Sequence, residues 1–157
     1  MDIFVYGACC AEGGEHDAAW KLLAHALKQV YGLTEMPDVA REEKGKPYFP
    51  LHPRICFNLS HSHGAVVCAV HDNPVGIDIE KLRTAPKRLA SGMDDRDFFL
   101  SWTAKEASVK LAGGSAVVLL HDYETHPLCR SFDDFLPGWV VSVCPSEPAE
   151  IRFVAVT

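Results

Sequence analysis

The sequence predicts an α+β fold on three observations. Two stretches of the chain carry apolar residues at helical spacing, and several shorter runs are rich in Val, Ile and Phe, as strands are. These runs come in the order strand, helix, loop, three strands, helix, three strands, which is typical of a mixed α+β protein. At 157 residues the chain is long enough for one domain with its own core, so we predict a single domain over 1–157.

The first half of the chain is predicted to begin with a strand at 2–10. A helix is predicted over 17–31, with Asp17 placed to cap its start and Gly32 its end. The next segment, 33–54, is rich in proline and charge and is predicted as a loop. Three strands are predicted to follow and to form an antiparallel meander, at 55–59, 65–70 and 75–80.

The second half is predicted to hold a helix and then strands. Residues 86–112 show helical spacing with a break near 91–92, and the second piece begins with acids, which favour the helix dipole. Two glycines at 113–114 are predicted to end it. The strand and helix order thus recurs, which indicates two similar halves, 1–72 and 73–157. Three strand candidates close the chain, at 116–124, 138–144 and 150–156.

Composition and charge exclude several classes of protein. A net charge of −6 is unfavourable for broad nucleic-acid binding. No apolar run approaches the roughly 20 residues of a membrane helix, and the acidic N-terminus lacks the basic start of a signal peptide. We therefore expect a cytoplasmic protein without nucleic-acid or membrane partners. Most of the six cysteines lie in apolar runs and none forms a C-x-x-C pair, so we predict reduced core thiols.

The segment VGIDIEK, at 75–81, places two acids in an apolar strand candidate. Because successive side chains of a strand point to opposite faces, Asp78 and Glu80 share one face. Like charges on one face repel each other, so a metal ion, a basic side chain or water must lie between them. On the helix at 94–112, Trp102, Glu106 and Lys110 lie close to one face at intervals of four residues. An exposed Glu106–Lys110 ion pair is the simplest interpretation of that spacing.

The polar turn SHSHG leaves other chemistry open. His61 and His63 suit the start of a zinc site with His52 or His71 as a third ligand, although no further ligand stands at a recognisable spacing. Ser60 beside His61 also suits a nucleophile and base, but the glycine-flanked elbow of such enzymes is missing. A plain turn between two strands explains the same residues.

Four motifs in succession, GKPYF, FNLSHS, VGIDIE and FFLSWTAKEASVK, resemble the 4′-phosphopantetheinyl transferases over roughly residues 41 to 114. The resemblance is to the larger, pseudo-dimeric subtype that activates peptide and polyketide synthetases, in a compact version with both halves in one chain and acting as a monomer. It implies the fold of that family, with antiparallel strands packed on helices. It also implies transfer of the phosphopantetheine arm of coenzyme A to a serine of an apo-carrier protein, with release of 3′,5′-ADP.

The resemblance also implies roles for individual residues. A Mg²⁺ ion would lie among Asp78, Glu80 and Glu106, and oxygen ligands of this kind are the ones that Mg²⁺ prefers. Glu80, Glu106 and Lys110 would act in catalysis, with Glu80 able to relay the serine proton. The cofactor-binding residues would be Lys46 and Pro47 at the nucleotide, Ser60 and His61 near the phosphates, and Arg41, Lys44 or Lys28 at the 3′-phosphate. Trp102 is predicted to be a packing anchor.

The carrier-binding surface is predicted from charge. The acid-free run from Lys81 to Met93 follows Glu80 directly, and carriers of this family's enzymes are acidic around their serine, so we predict that Arg83, Lys87 and Arg88 face the carrier. Two further hypotheses remain. One is a non-catalytic relative that binds coenzyme A or a carrier as a module, and the other is an unrelated zinc hydrolase that uses the histidine cluster.

Overall fold

The computed structural model describes residues 1–114 and 123–157. The strand predicted at 116–124 therefore lies largely outside the described residues. The helices are α1 (Glu15–Tyr31), α2 (Lys87–Ala90) and α3 (Asp95–Leu111). The strands are β1 (Ile3–Cys9), β2 (Ala40–Arg41), β3 (Pro47–Tyr48), β4 (Cys56–Ser62), β5 (Ala65–His71), β6 (Val75–Lys81), β7 (Arg130–Phe132), β8 (Trp139–Pro145) and β9 (Ile151–Val156).

Two sheets and two long helices form the layers of the molecule. The larger sheet has the order β4-β5-β1-β9, and the smaller has the order β6-β8-β7. Their apolar faces pack against each other, with Val5 and Val67 of the larger sheet in one core with Ile77 and Val143 of the smaller. Helix α1 covers the outer face of the larger sheet through residues such as Leu23. The α+β class is confirmed, with antiparallel pairs throughout except for the parallel pair of β1 and β9.

The predicted three-stranded meander is wrong at its third strand. β4 and β5 form an antiparallel hairpin, with Phe57 opposite Val70. β6 instead leaves this sheet and pairs with β8, where Asp78 lies opposite Ser142. All residues of β5 are buried, so its faces carry no alternation that would show which strand continues the sheet. The division into halves at 72–73 stays a prediction, and β9 joins the sheet of the first half.

The cysteine prediction is also wrong for one pair. The structure joins Cys129 and Cys144 in a disulfide. The antiparallel register of β7 and β8, in which Arg130 lies opposite Val143, brings these two cysteines together at its next step. The sequence prediction missed β7, and with it this pairing. The cysteines at positions 9, 10, 56 and 68 are free thiols as predicted, but only Cys68 is buried in the core, and Cys9 is exposed.

The helix boundaries follow the predicted signals only in part. Gly32 ends α1 in the left-handed conformation, with φ 71°, as predicted. Asp17 does not cap its start, because α1 begins two residues earlier, after Gly14. The predicted break between α2 and α3 falls at Ser91, also left-handed. Asp94 caps α3 by accepting a hydrogen bond from the Asp97 amide. Among the described residues no helix is long and apolar enough to cross a membrane.

Gly76 sets the distance between β6 and α3. A Cβ atom at this position would lie 2.1 Å from the carbonyl oxygen of Ala107 and 2.7 Å from the amide nitrogen of Leu111. Both are backbone atoms of α3, so neither can move aside without shifting the helix. The missing side chain therefore lets α3 pack directly on the strand that carries Asp78 and Glu80.

We expect Gly76→Ala to lower the free energy of unfolding by about 2 kcal/mol or more, because overpacking against backbone costs about 1–3 kcal/mol even where side chains can adjust. Denaturant unfolding followed by circular dichroism measures the change. The control is Gly14→Ala, since Gly14 has φ −102° and an added Cβ there would meet its nearest atom at an ordinary 3.4 Å. Equal stability of the two variants would contradict the tight contact.

Candidate functional site

The acid-bearing face of β6 turns toward α3. The apolar residues of the strand enter the core between the sheets, and the alternate positions, Asp78 and Glu80, point the other way. Asp78 is nearly inaccessible to solvent, with 3% of its surface exposed. Burying a carboxylate is costly unless it is paired and hydrogen-bonded, so its surroundings decide what this site can hold.

Lys110 of α3 is the direct partner of Asp78. Its Nζ donates to Asp78 Oδ1 at 3.1 Å, to the Ile77 carbonyl at 3.0 Å and to the Leu59 carbonyl at 3.3 Å. The three ammonium hydrogens therefore tie α3 to both β4 and β6. Lys110 and Glu106 do not form the isolated surface pair of the simplest interpretation, because this lysine reaches into the interior.

Glu106 lies one turn before Lys110 and is close to the same acid. Burial, together with the negative charges of Asp78 and Glu80, raises the pKa of Glu106 to about 8 against the opposing effect of Lys110. Burial likewise raises the pKa of Asp78, against the opposing effect of Lys110. The two carboxyl groups thus interact with each other in the folded protein. A site with more acidic groups than nearby cations favours binding of a further cation.

A row of polar side chains on β4 binds the neighbouring edge of β6. Asn58 Oδ1 accepts from the Ile77 amide at 2.8 Å. Ser60 Oγ accepts from the Ile79 amide at 3.1 Å, and Ser62 Oγ accepts from the Lys81 amide at 3.1 Å. Each bond joins residues 19 positions apart, so β4 and β6 run side by side in parallel although they belong to different sheets.

Two of these side chains also contact the acids. Ser60 Oγ donates to Asp78 Oδ1 at 3.1 Å, and Ser62 Oγ donates to Glu80 Oε2 at 3.0 Å. The sequence prediction named Ser60 as a coenzyme ligand and missed Ser62. The signal was available, since three polar residues at a spacing of two interrupt the apolar pattern of a strand candidate.

Glu80 has its own cation. Arg83 Nη1 donates to Glu80 Oε2 at 2.8 Å and to the Lys81 carbonyl at 2.9 Å, and its guanidinium lies 4.6 Å from the centre of the Phe99 ring. Asp78 and Glu80 thus each have a basic partner, Lys110 and Arg83 respectively, and Glu106 is the third acid beside them. Of the three candidates for relieving the repulsion between Asp78 and Glu80, basic side chains are the one that the protein itself supplies.

Lys46 lies against the end of α3. Its Nζ donates to the Lys110 carbonyl at 2.9 Å and to the Val75 carbonyl at 3.3 Å. Burial lowers the pKa of Lys46. The ammonium therefore stabilises the C-terminal end of α3, where a cation is favourable. The neighbouring residue Pro47 lies in the short strand β3.

A cavity of about 230 Å³ opens beside Lys46 and Pro47. Its walls are mostly apolar, and Lys46 and Glu42 supply its charged groups. A largely apolar cleft with few polar groups is the usual form of a small-molecule site. Its remaining walls are Tyr48, Phe49, Pro50, Pro53, Ile55, Cys56, Phe57 and Pro74.

Other predicted residues lie elsewhere. His61 is exposed and occupies the alternate position to Ser60 on β4, so the two side chains point to opposite faces. Arg41 donates to the Gly45 carbonyl at 3.0 Å within the β2–β3 turn, and Lys44 is exposed in the same turn. The predicted loop at 33–54 therefore contains one short hairpin. Trp102 stacks on Phe98, in keeping with a packing anchor.

The acidic centre has the oxygen donors that suit Mg²⁺. Among the described residues Asp78 Oδ2 is buried and has no fixed hydrogen-bond donor, and Glu106 shares a proton with the Asp78 carboxyl group. Once that proton leaves, this carboxylate oxygen is left to bind a cation. In the described part of the chain, however, no three His, Cys, Asp or Glu side chains stand together as a ready metal site. The donor chemistry fits the ion, and water or phosphate oxygens would complete its shell. The same finding gives no support to a zinc site at the histidines.

Comparison with known proteins finds relatives that cover most of the chain. No protein-family model matches the chain. The 4′-phosphopantetheinyl transferase psf-1 of Bacillus pumilus is 30% identical, across 86% of this chain and 72% of that protein. The 4′-phosphopantetheinyl transferase AcpT of Salmonella typhi is 30% identical, across 88% of this chain and 81% of that protein. A further transferase of this name, from Bacillus subtilis, is 36% identical across 59% of this chain and 49% of its own length.

A mixed α+β protein with a buried carboxylate–lysine centre between a strand and a helix is thus similar, over most of its length, to a set of named transferases. The chain belongs to the 4′-phosphopantetheinyl transferase family of enzymes. The resemblance to this family that the four motifs predicted is confirmed, and the larger, pseudo-dimeric subtype stays a prediction.

The pKa of Glu106 predicts a pH dependence of stability. A free glutamate side chain titrates near pH 4.5, whereas Glu106 in the folded protein titrates near 8. Between these values the folded protein holds a proton that the unfolded chain has lost, so the free energy of unfolding falls as the pH rises. Glu106→Gln cannot ionise. We expect it to be more stable than wild type in EDTA, by a margin that grows from about pH 5 to pH 8.

Denaturant unfolding of both proteins in EDTA, at intervals across this pH range, measures that margin. A difference between the two proteins that stays constant with pH would contradict the raised pKa.

Proposed function

We propose that this protein transfers the 4′-phosphopantetheine arm of coenzyme A to a serine of an apo-carrier protein, releases 3′,5′-ADP and depends on Mg²⁺. The observation that carries the proposal is the environment of Asp78. This buried acid has one oxygen bound by Ser60 and Lys110, and in the described part of the chain the other oxygen has no fixed donor. An incomplete, acid-rich centre beside an apolar cleft suits a reaction in which a cation and a diphosphate arrive together.

The proposed step is a displacement at phosphorus. The carrier serine oxygen forms a bond to the phosphorus that bears the pantetheine arm. The bond from that phosphorus to the bridging oxygen of the diphosphate breaks, and its electron pair leaves with 3′,5′-ADP. A bound Mg²⁺ would supply positive charge for the diphosphate through Asp78, Glu80 and Glu106. The serine proton goes to a carboxylate acting as general base.

Glu80 is the best placed of the acids to accept this proton. Its hydrogen bonds within the described residues, from Ser62 and Arg83, both go to Oε2. Oε1 is thereby left to face the incoming serine, directly or through a water. Glu80 is also less buried than Asp78, with 20% of its side chain exposed against 5%. We assign Asp78 to cation binding and Glu80 to proton transfer as well as cation binding.

The cleft beside β3 is proposed as the coenzyme A nucleotide site. Its apolar walls suit a purine ring, and Lys46 and Pro47 line it. Lys46 already donates to two carbonyl groups, so its support for the nucleotide comes from charge and position. Arg41 and Lys44, exposed in the adjacent turn, are proposed at the 3′-phosphate, and His61 is proposed near the phosphates.

The wider setting follows the composition. We propose that the protein acts as a monomer in the cytoplasm, on coenzyme A and an acidic apo-carrier, without nucleic-acid or membrane partners. An excess of six negative charges disfavours nucleic acid. The chain spans about half to four fifths of the length of the relatives it matches. Because the carrier of this protein is not identified, a panel of apo-carriers is used to test it.

Asp78→Asn and Glu106→Gln are expected to lower the transfer rate at least about 100-fold, because each swap keeps the side-chain shape and removes a charged ligand. The assay incubates each protein with coenzyme A, Mg²⁺ and the carrier panel, and reads the added arm by intact mass. The control is Glu147→Gln, which makes the same swap on an exposed loop residue.

Near wild-type turnover of either site variant at ordinary Mg²⁺ concentration would show that the reaction does not take place at this site. Wild-type protein that binds coenzyme A without Mg²⁺-dependent turnover on any carrier would instead support the non-catalytic module.

Two basic residues of α2 are the predicted docking surface for the carrier. Lys87 and Arg88 of α2 are exposed, and the apolar side chains of Leu89 and Met93 are exposed beside them. Arg83 is held by Glu80 and is therefore less free to meet a carrier. We expect the double reversal of Lys87 and Arg88 to Glu to raise the carrier KM and to weaken its salt dependence. Coenzyme A binding should stay unchanged, since charges at the rim act on encounter.

Steady-state kinetics at several salt concentrations measure this effect. The matched control for Lys87→Glu is Lys21→Glu, which makes the same change on the exposed face of α1. Unchanged carrier kinetics of the double variant at low salt would exclude this surface as the docking site.

A further inference from the structure

We propose that Ser60 and Ser62 are positioning residues, which fix the carboxylates of Asp78 and Glu80 in the orientation that the cation site requires. The proposal builds on the function proposed above but concerns residues that contact neither the cation nor the reacting atoms. The predicted role of Ser60 as a coenzyme ligand is tested separately below.

The hydrogen bonds of each serine fix the direction of its hydroxyl proton. A hydroxyl has one hydrogen to donate and lone pairs to accept. Backbone amides have only a hydrogen to give, so Ser60 must accept from Ile79 and its own proton is free for Asp78 Oδ1. Ser62 repeats the arrangement with the Lys81 amide and Glu80 Oε2. Each serine therefore accepts a hydrogen bond from a backbone amide of β6 and donates one to the carboxylate of the residue that precedes that amide.

Asn58 shows that joining the strands does not itself require a carboxylate contact. Its Oδ1 accepts from the Ile77 amide at 2.8 Å, the shortest bond of the row. No hydrogen bond from Asn58 to an acid is found in the described part of the chain. The row thus has one position that only joins β4 to β6, and two positions that also orient an acid.

Burial makes the orientation of Asp78 consequential. Ser60 and Ser62 are each only 7% exposed, and Asp78 only 3%. Ser60 and Lys110 both bind Oδ1, so within residues 1–114 and 123–157 Oδ2 is the oxygen without a fixed donor. Without the Ser60 hydroxyl, the carboxylate can rotate and share both oxygens with Lys110. The serine therefore decides which oxygen is presented to a cation.

Alanine variants separate the two tasks of these residues. Asn58→Ala, Ser60→Ala and Ser62→Ala each remove one contact between β4 and β6, so all three should lower the melting temperature. Only the serine variants should weaken binding of Mn²⁺, measured with Mn²⁺ alone by electron paramagnetic resonance. We expect about a tenfold increase in Kd, the lower end of the effect of losing a partner that orients a metal ligand. Ser60→Thr and Ser62→Thr keep the hydroxyl and should restore the affinity.

A direct coenzyme contact gives a different result. Calorimetry with coenzyme A in EDTA should find the same affinity for Ser60→Ala as for wild type. Weakened coenzyme binding with unchanged Mn²⁺ affinity would overturn the proposal for Ser60, and so would equal loss of Mn²⁺ affinity in Asn58→Ala. If wild-type protein binds no Mn²⁺, the proposed cation site fails by itself. Crystal structures of wild type and Ser60→Ala then decide the inference, and an Asp78 carboxylate with the same orientation in both would overturn it.

Discussion

The contact between β4 and β6 is the constraint on which the site depends. Two sheets meet along these strands without forming a common backbone ladder, and side chains of one satisfy amides of the other. An edge strand with unpaired amides invites pairing with another chain, so this row of bonds also protects β6. Lys110 crosses the same junction by donating to carbonyls of both strands. The acids are thus held where two independently built sheets meet, in a position that neither sheet specifies by itself.

The centre illustrates an exchange between stability and function. Asp78 is buried with an oxygen that binds nothing, and Glu106 is held close to it. Each feature lowers the stability of the protein alone, because both carboxyl groups lose water without full replacement and Glu106 must hold a proton to avoid a second buried charge. Gly76 adds to this cost, since glycine in a strand gives up packing, yet it permits the close approach of α3. Local destabilisation of this kind is common where a protein must bind a charged ligand.

The sequence predicted the elements well because their signals are local. Helix α3, its break from α2 and its acidic first turn were all legible, and so was the shared face of Asp78 and Glu80. Which strands and helices pack against each other depends on residues that are distant in sequence, so this could not be predicted. Strand β5, which is buried along its whole length, and the short β7 carry no pattern that indicates which strands pair with them. The hydrogen bond from Lys46 to the Lys110 carbonyl and the pairing of Arg83 with Glu80 likewise depend on packing rather than on composition.

The parallel pairing of β1 with β9 bears on how the chain reaches its fold. Ile3 lies opposite Ile151, so the first strand of the larger sheet receives one of its two neighbours from the far end of the chain. Contacts between residues so distant in sequence slow folding, because a long loop must close before they form. During synthesis β1 and β5 can pair early, but one edge of β1 stays open until β9 leaves the ribosome. An open strand edge of this kind pairs readily with other chains, so incomplete chains of this protein are exposed to aggregation until β9 is in place.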